Sequence, residues 1–519
     1  MPRSRYALRM ISLREQSCTP EDVVAVGRSH AEVSIEDAVQ SAMEPSRTLV
    51  EHLATTHARV YGVTTGFGAL ATTVIPEEER LELQRSIIRS HAAGVGAPIP
   101  SEIVRGMMFL RARSLAAGYS GVRYALVETY INALSNSLVP WVPEHGSLGA
   151  SGDLAPLAHV ALALAGEGMF LGEGGQQLSA EAVLREKGIS PLAVDLKEGL
   201  ALINGTDGMA ALMSFVIVDL EDLLDFADAV AALSVEALLG TDSTYREAVV
   251  GLRPSAGQGR SAAIIRAMLE GSDIVASHRN SDHVVQDPYS LRCTPQIHGA
   301  ARDVTSAARG FVERELASVV DNPVVFAEAG ELANTGNFHG QGLAYAADMC
   351  AMVLADLAAL AERRVNRMLD PARSNGLPAF LTPHPGTNSG FMIAQYTAAA
   401  CVSSLRAGAS PLSVHSLDTS AEQEDHVSMG WEAALRTYRS LATLRQVLAI
   451  EALCAAQAVR LRKPLAPGKG TRQLLEELTA AVPHMLKDRF LAPDIDRITE
   501  YVASGSWHAL IPAHQGDAQ

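Results

Sequence analysis

The sequence has little that would mark a secreted, metal-binding or nucleotide-binding protein. Cysteine is sparse: Cys18, Cys293, Cys350, Cys401 and Cys454 are scattered, with no CxxC pair and no disulfide framework. That usage fits a reducing cytoplasm. Among 16 histidines there is no HExxH pair, and His278, His283 and His298 lack the tight spacing of a ligand set, so no metal is expected. No Walker-type loop or dinucleotide fingerprint appears, so no nucleotide is expected either. Internal repeats and low-complexity linkers are also missing. Arg3, Arg5, Arg9 and Arg14 open the chain without an apolar stretch behind them, so no secretory signal is expected.

Positive charge is also in deficit. The net charge of -16 argues against nucleic acid and anionic membranes as partners. It does not exclude an anionic small substrate, because one local arginine overrides a distant field. Charged residues are 19% and apolar residues 48% of 519, which is ample material for a large core. At roughly 150 residues per unit that length allows three or four domains, although long helical enzymes often form one body. The expected division is an N-terminal region to residue 205, a central helical bundle over 206–470 and a C-terminal helical segment over 471–519.

What is present is mostly helical. Thr19-Pro20-Glu21-Asp22 reads as a helix start, with a capping threonine, a proline in the first turn and acids facing the dipole. Residues 61–68, YGVTTGFG, carry too many glycines for an element interior and read as a loop. A helix is expected near Glu77 to Ser90. An apolar stretch from Leu154 to Leu164 predicts a buried helix, with Pro156 tolerated in its first turn. Long helices are expected over Thr206 to Leu239, Pro295 to Val320, Gln341 to Leu369 and Trp431 to Leu461. Asp219, Glu221, Asp222, Asp225 and Asp228 break the first of these, which makes it a core helix and not a membrane span. Short strands are expected at the N-terminus and near Val324 to Phe326. The fold class is mainly α, a long-helix bundle with a small mixed N-terminal region.

The chemistry centres on GSLGASGDLAPLAH, residues 146–159. Ala150-Ser151-Gly152 can cyclise: the Gly152 nitrogen attacks the Ala150 carbonyl, and loss of two waters leaves a five-membered ring. Ser151 supplies the β-hydroxyl and becomes an exocyclic methylene. Gly152 has no Cβ to block closure, and Gly149 and Gly152 allow the sharp backbone it needs. A ring at a helix N-terminus sits in positive potential, which raises its electrophilicity. The tripeptide alone carries little information, because Ala503-Ser504-Gly505 repeats it with no glycine-rich approach and no apolar helix behind it.

From about Tyr61 to Pro493 the chain resembles the aromatic amino acid ammonia-lyase family, which includes histidine and phenylalanine ammonia-lyases and 2,3-aminomutases. The resemblance rests on YGVTTGFG, the Ala-Ser-Gly segment, LINGTDG (202–208), QDPYSLRC (286–293), GNFHG (336–340), NSGFMIAQ (388–395) and EQEDHVSMG (422–430). It implies an ammonia-lyase/fumarase-like helical fold and a 4-methylidene-imidazol-5-one (MIO) group made from Ala150, Ser151 and Gly152. It also implies a homotetramer with sites shared between chains. Tyr61 is implied as the base that removes the β-proton. Its pKa would then have to be lowered from near 10, and helix N-termini around the site are expected to do so. Arg292 is implied to hold the substrate carboxylate bidentately, with Gln286 adding an amide contact and Tyr289 joining the catalytic set. Asn204 is implied to lie near the ring and the carboxylate; the plain alternative is a helix cap. Phe338 is implied to pack on ring and substrate, where the plain alternative is core.

The implied reaction is elimination of ammonia from an aromatic L-amino acid, with L-histidine to trans-urocanate as the leading assignment. Gln423 and Glu424 carry that choice, since Glu424 suits an amine or an imidazole; it is also a catalytic candidate, able to assist proton transfer. His91, after Ser90, resembles the selectivity pair of histidine-type members. Asp207 and Met209 after Asn204-Gly205-Thr206, Glu422 before Gln423, and Gln341 after the GNFHG motif depart from the histidine pattern. The first and last of these resemble tyrosine aminomutases, which keeps phenylalanine or tyrosine, as lyase or mutase, as the alternative. A silent scaffold would be expected to lose Ser151, Tyr61 or Arg292, and all three are present. A fumarase-like serine base would need a GSSxMPxKxN loop, which is missing.

Overall fold

The computed structural model describes residues 10–13, 18–56, 59–280 and 284–512. Arg3, Arg5, Arg9, Arg14 and His283 lie outside them.

Helix formation begins where the local chemistry demands. Thr19 caps the Pro20–Arg28 helix by accepting from the Asp22 amide, and the Asp22 carboxylate accepts the Thr19 amide in return. Such a reciprocal cap contributes about 1 kcal/mol. The helix expected near Glu77 to Ser90 is a single 3-10 turn, Glu77–Glu79, running into Arg80–His91.

The core is a bundle of the Asp207–Ala237, Thr294–Leu316, Gln341–Leu369, Met392–Gly408 and Gly430–Arg460 helices. Gln341–Leu369 and Gly430–Arg460 share the broadest contact, and both pack on Asp207–Ala237. The last of these is buried almost throughout, so it reads apolar on every face. Three helical stretches, Glu198–Ala237, Gln341–Leu369 and Gly430–Arg460, are long and apolar enough to cross a membrane, yet their apolar windows are 100%, 67% and 78% buried inside the molecule. Their apolarity serves the bundle. Trp431, in the first turn of its helix, is 1% exposed and donates its indole N–H to the Glu144 carbonyl at 2.7 Å.

Strands are few among the described residues. Four two-stranded sheets pair Ile11–Ser12 with Val33–Ser34 (parallel), and Val95–Pro98 with Pro143–His145, Met169–Leu171 with Gln177–Ser179, and Val324–Phe326 with Glu331–Ala333 (all antiparallel). Three of the four precede residue 205, which is the mixed N-terminal region expected.

One boundary differs from expectation. The helix expected to reach Val320 ends at Leu316, because Val320 is drawn out of helical pairing. Its carbonyl instead accepts from Arg111 Nη2 at 2.9 Å and from the Ser114 hydroxyl at 3.3 Å.

Candidate active site

Ala150-Ser151-Gly152 lies in an irregular turn that leads, through Asp153, into the Leu154–Leu164 helix. Gly152 has φ +70°, and a Cβ there would overlap the Gly205 carbonyl oxygen, so only glycine fits. The Ser151 hydroxyl donates to Asn204 Oδ1 at 2.7 Å. Asn204 is 1% exposed, and its Nδ2 donates to the Asn322 carbonyl at 3.0 Å. Asn204 is not the N-cap that was its plain alternative; Thr206 occupies that position before Asp207–Ala237.

Four helix N-termini meet around the tripeptide. Leu154–Leu164 starts just after it, and Asp207–Ala237 starts three residues after Asn204. Before Gly430–Arg460, the Ser428 hydroxyl donates to the Gly149 carbonyl at 3.0 Å and the Met429 amide to Leu148 at 2.8 Å. Before Gln341–Leu369, Gly340 packs on Met209. Aligned peptide dipoles place positive potential there.

Tyr61 and Glu424 face the same region from two loops. The Tyr61 hydroxyl accepts the Gly68 amide at 3.0 Å, and Phe67 stands edge-on to its ring at 6.2 Å. Glu424 Oε2 accepts from the Thr419 hydroxyl at 2.7 Å. His91 ends its helix with Nδ1 3.1 Å from the Ser90 hydroxyl. Burial lowers the His91 pKa below its ordinary value, against the charge of Glu424. Tyr61 departs from expectation. Burial raises its pKa, the Gly68 N–H opposes this, and the Glu424 charge raises it further. Within one chain, desolvation and a neighbouring anion set the direction of the shift. Phe338 is half-buried in the loop before Gln341–Leu369, and Gln423 is exposed beside Glu424.

The QDPYSLRC residues stand apart. Arg292 lies over the Tyr289 ring at 4.6 Å, its buried Nε has no hydrogen-bond partner, and Tyr289 is 69% exposed. Gln286 is exposed at the edge of a cavity of about 190 Å³ with Leu239, Thr241, Val275 and His278. This set sits beyond the C-terminus of Asp207–Ala237: the Thr241 amide donates to Asp287, and Gly240 packs on Leu291. Ser151 and Asn204 sit at the N-terminus of that same 31-residue helix. At 1.5 Å per residue the two sets are about 45 Å apart in one chain. The structure therefore brings Tyr61 and His91 within range of the Glu424 charge and joins Ser151 to Asn204, and it leaves Gln286, Tyr289 and Arg292 at the far end of the helix.

Sequence reasoning missed the residues beneath the tripeptide. Asp153 is fully buried, with Oδ2 accepting the Met209 amide at 2.9 Å and Oδ1 the Ser147 hydroxyl at 3.0 Å. Burial pushes its pKa up to about 7 against those two donors. An acid directly after Ala-Ser-Gly, at the mouth of an apolar helix, was the available signal. Of the histidines set aside as structural, His298 is buried with Nδ1 2.7 Å from Asp228, and His278 Nε2 meets the Gly240 carbonyl at 3.0 Å. No group of three potential metal ligands occurs among the described residues.

The profile of the family described as aromatic amino acid lyase matches residues 18–480. The chain is similar to the histidine ammonia-lyase of Streptomyces avermitilis, at 46% identity over 94% of this chain and 95% of that one. Among solved structures it is similar to the tyrosine aminomutase of Streptomyces globisporus, with TM-score 0.91 and 36% identity over 97% of this chain and 98% of that one. It is equally similar in identity, 36%, to the histidine ammonia-lyase of Trypanosoma cruzi, with TM-score 0.89 over 97% of this chain and 96% of that one.

Proposed function

The chain belongs to the aromatic amino acid lyase family, and on that premise we propose that it eliminates ammonia from L-histidine to give trans-urocanate. The observation that carries the reading is the Ser151 hydroxyl held by a buried Asn204 while Gly152, at φ +70°, lies flush against Gly205. The tripeptide fits a 4-methylidene-imidazol-5-one precursor: closure needs a β-branch-free Gly152, an oriented Ser151 hydroxyl and room at the Ala150 carbonyl. When formed, that group supplies an electrophilic methylene that captures the substrate amine and makes it a better leaving group.

The chain's own groups do the rest. In this reading Tyr61 removes the β-proton, and its raised pKa makes the phenolate a strong base once formed. Asn204 and Arg292 hold the carboxylate, with Gln286 and Tyr289 beside Arg292. His91, kept neutral by burial, and Glu424 receive the imidazole ring, with Gln423 at the loop edge and Phe338 packing against the substrate. Neutral and anionic partners suit the two imidazole nitrogens, one an acceptor and one a donor.

Arg292 and Ser151 are too far apart to serve one substrate within a chain. This supports an assembly, a homotetramer, in which Gln286, Tyr289 and Arg292 of one protomer complete the site of another. The exposed Tyr289 and the unpaired Arg292 Nε fit that arrangement. A cytoplasmic location accords with the free cysteines.

The test is to incubate purified protein separately with L-histidine, L-phenylalanine and L-tyrosine. Ammonia and urocanate from histidine alone are expected. Ammonia from phenylalanine or tyrosine alone overturns the substrate. The fold shared with a tyrosine aminomutase supports a second reading, and a β-amino acid product would select it. For the shared site, Tyr61→Phe and Arg292→Ala are each expected to be inactive, and co-expression to restore part of the activity. No restoration would place the whole site in one chain.

A further inference from the structure

Two buried cations that take no part in the chemistry above converge on Asn204. Arg111, from the Ser101–Ala116 helix, is fully buried. Its Nη1 donates to the Asn204 carbonyl at 3.1 Å and pairs with Asp207 at 3.2 Å, while Nη2 donates to the Val320 carbonyl at 2.9 Å. It is wedged so closely against Gly205 that no Cβ would fit there. Lys197, just before the Glu198–Ile203 helix, places Nζ 2.8 Å from Asp321 Oδ2, and neither side chain has any exposure. Asp321 Oδ1 accepts the Asn322 amide at 2.8 Å. Thr335 closes the arrangement from outside: its hydroxyl donates to the Asp321 carbonyl at 2.9 Å and its amide to Asn322 Oδ1 at 2.8 Å.

The consequence is a fixed orientation for one carboxamide. The Asn322 carbonyl can only accept, so the amide face of Asn204 must turn to it. Oδ1 then has one direction left, toward the Ser151 hydroxyl. Any shift of residues 320–322 or of the Asn204 backbone frees that orientation. Two buried ion pairs are a poor choice for stability alone, since apolar residues of like volume hold a core as well or better. Burial does lower the Lys197 pKa, opposed by Asp321.

We propose that Arg111, the Lys197–Asp321 pair and Thr335 are positioning residues that lock the Asn204 carboxamide, and so aim the Ser151 hydroxyl for ring formation. This rests on the reading of Ala150-Ser151-Gly152 given above. Ring closure forms the bond from the Gly152 nitrogen to the Ala150 carbonyl carbon and expels two waters, one carrying the Ala150 oxygen and one the Ser151 hydroxyl. Progress can therefore be read as the mass deficit of the peptide bearing the tripeptide, without any assay of activity.

The test follows that deficit over time after synthesis in wild type, in Lys197→Met/Asp321→Leu and in Thr335→Val, with thermal unfolding in parallel. The double variant exchanges the pair for apolar side chains, and Thr335 sits half-buried, outside the long helices. Wild type is expected to lose two waters. The double variant is expected to do so about tenfold more slowly or worse, as misplacement of a reacting group by a fraction of an ångström would cause. Thr335→Val is expected to slow severalfold with unchanged unfolding, and Thr335→Ser to restore the wild-type rate. A wild-type chain with no deficit refutes the reading of the tripeptide itself. A wild-type deficit matched in rate by Thr335→Val overturns the positioning role, whether or not the double variant folds. So does a folded double variant that dehydrates at the wild-type rate.

Discussion

Ala150-Ser151-Gly152 and Ala503-Ser504-Gly505 are the same three residues in two settings. Even the glycine backbone agrees, with φ +70° at Gly152 and +67° at Gly505. At the second site the left-handed glycine ends the Ala492–Ser504 helix, an ordinary C-terminal cap. Ser504 satisfies itself locally, donating to the Tyr501 carbonyl at 2.8 Å with Ser506 at 2.9 Å. At the first site the serine reaches a residue 53 positions away and the glycine presses on a second backbone. One copy sits at the end of a helix, the other at the start of one. The glycine φ does not separate them; the flanking helix and the long-range partners do.

The largest contrast is expected from the serines. Ser151→Ala should lower ammonia release by at least about a thousandfold, with thermal unfolding little changed. Ser504→Ala should leave turnover alone and move stability within about 0.5 kcal/mol. Equal losses in the two variants would erase the distinction drawn here. Next, the glycines separate close approach from backbone strain. Gly152→Ala meets the Gly205 carbonyl as well as the left-handed penalty, and urea unfolding should show a loss of about 2–5 kcal/mol. Gly505→Ala meets one side chain, the His508 ring at 2.7 Å, in place of a backbone carbonyl, and about 1 kcal/mol is expected.

Titration gives the finer contrasts. If Tyr61 acts as phenolate, its raised pKa means that the rate climbs with pH across the neutral range and beyond the ordinary tyrosine value. Tyr61→Phe should remove both the activity and that climb. A flat profile in the wild-type enzyme would point to another base. The smallest effect is on stability. The folded-state pKa of Asp153 is raised from 3.8 to about 7, so its contribution is complete below the unfolded value and fades as pH rises through about 7. Asp153→Asn should flatten that decline, by at most about 1.4 kcal/mol per pH unit.

Much of the architecture was legible. Leu154–Leu164 and Gln341–Leu369 begin and end where apolar patterning put them, and Thr19 caps as its neighbours predict. The tripeptide at Ala503 ends a helix, and the absence of a glycine-rich approach and of a following apolar helix had already set it apart. Less legible was anything that depends on distance. A motif order gives no separation, so Arg292 and Ser151 look like companions until the length of the intervening helix is measured. Charged residues in a sequence read as surface, which is why Arg111 and Lys197 went unnoticed: Lys197 and Asp321 are 124 positions apart, and neither has a local reason to be buried. The direction of the Tyr61 pKa was missed for a related reason. Helix dipoles are visible in sequence, whereas desolvation and the approach of Glu424 are properties of the folded state.

The Asp207–Ala237 helix also acts as a ruler. One end carries the ground on which Asn204 stands, and the other carries the shelf for Tyr289 and Arg292. A single inserted residue would displace one end by about 1.5 Å and swing it by about 100° about the axis. A seven-residue insertion would nearly preserve the facing side while adding about 10 Å. If two protomers must each supply an end, both rulers change together and the mismatch doubles. The length of this element is therefore set by the span between the two sets, as its side chains are set by the core that buries them, and a lineage could repack it conservatively but could not resize it without moving one end of the site.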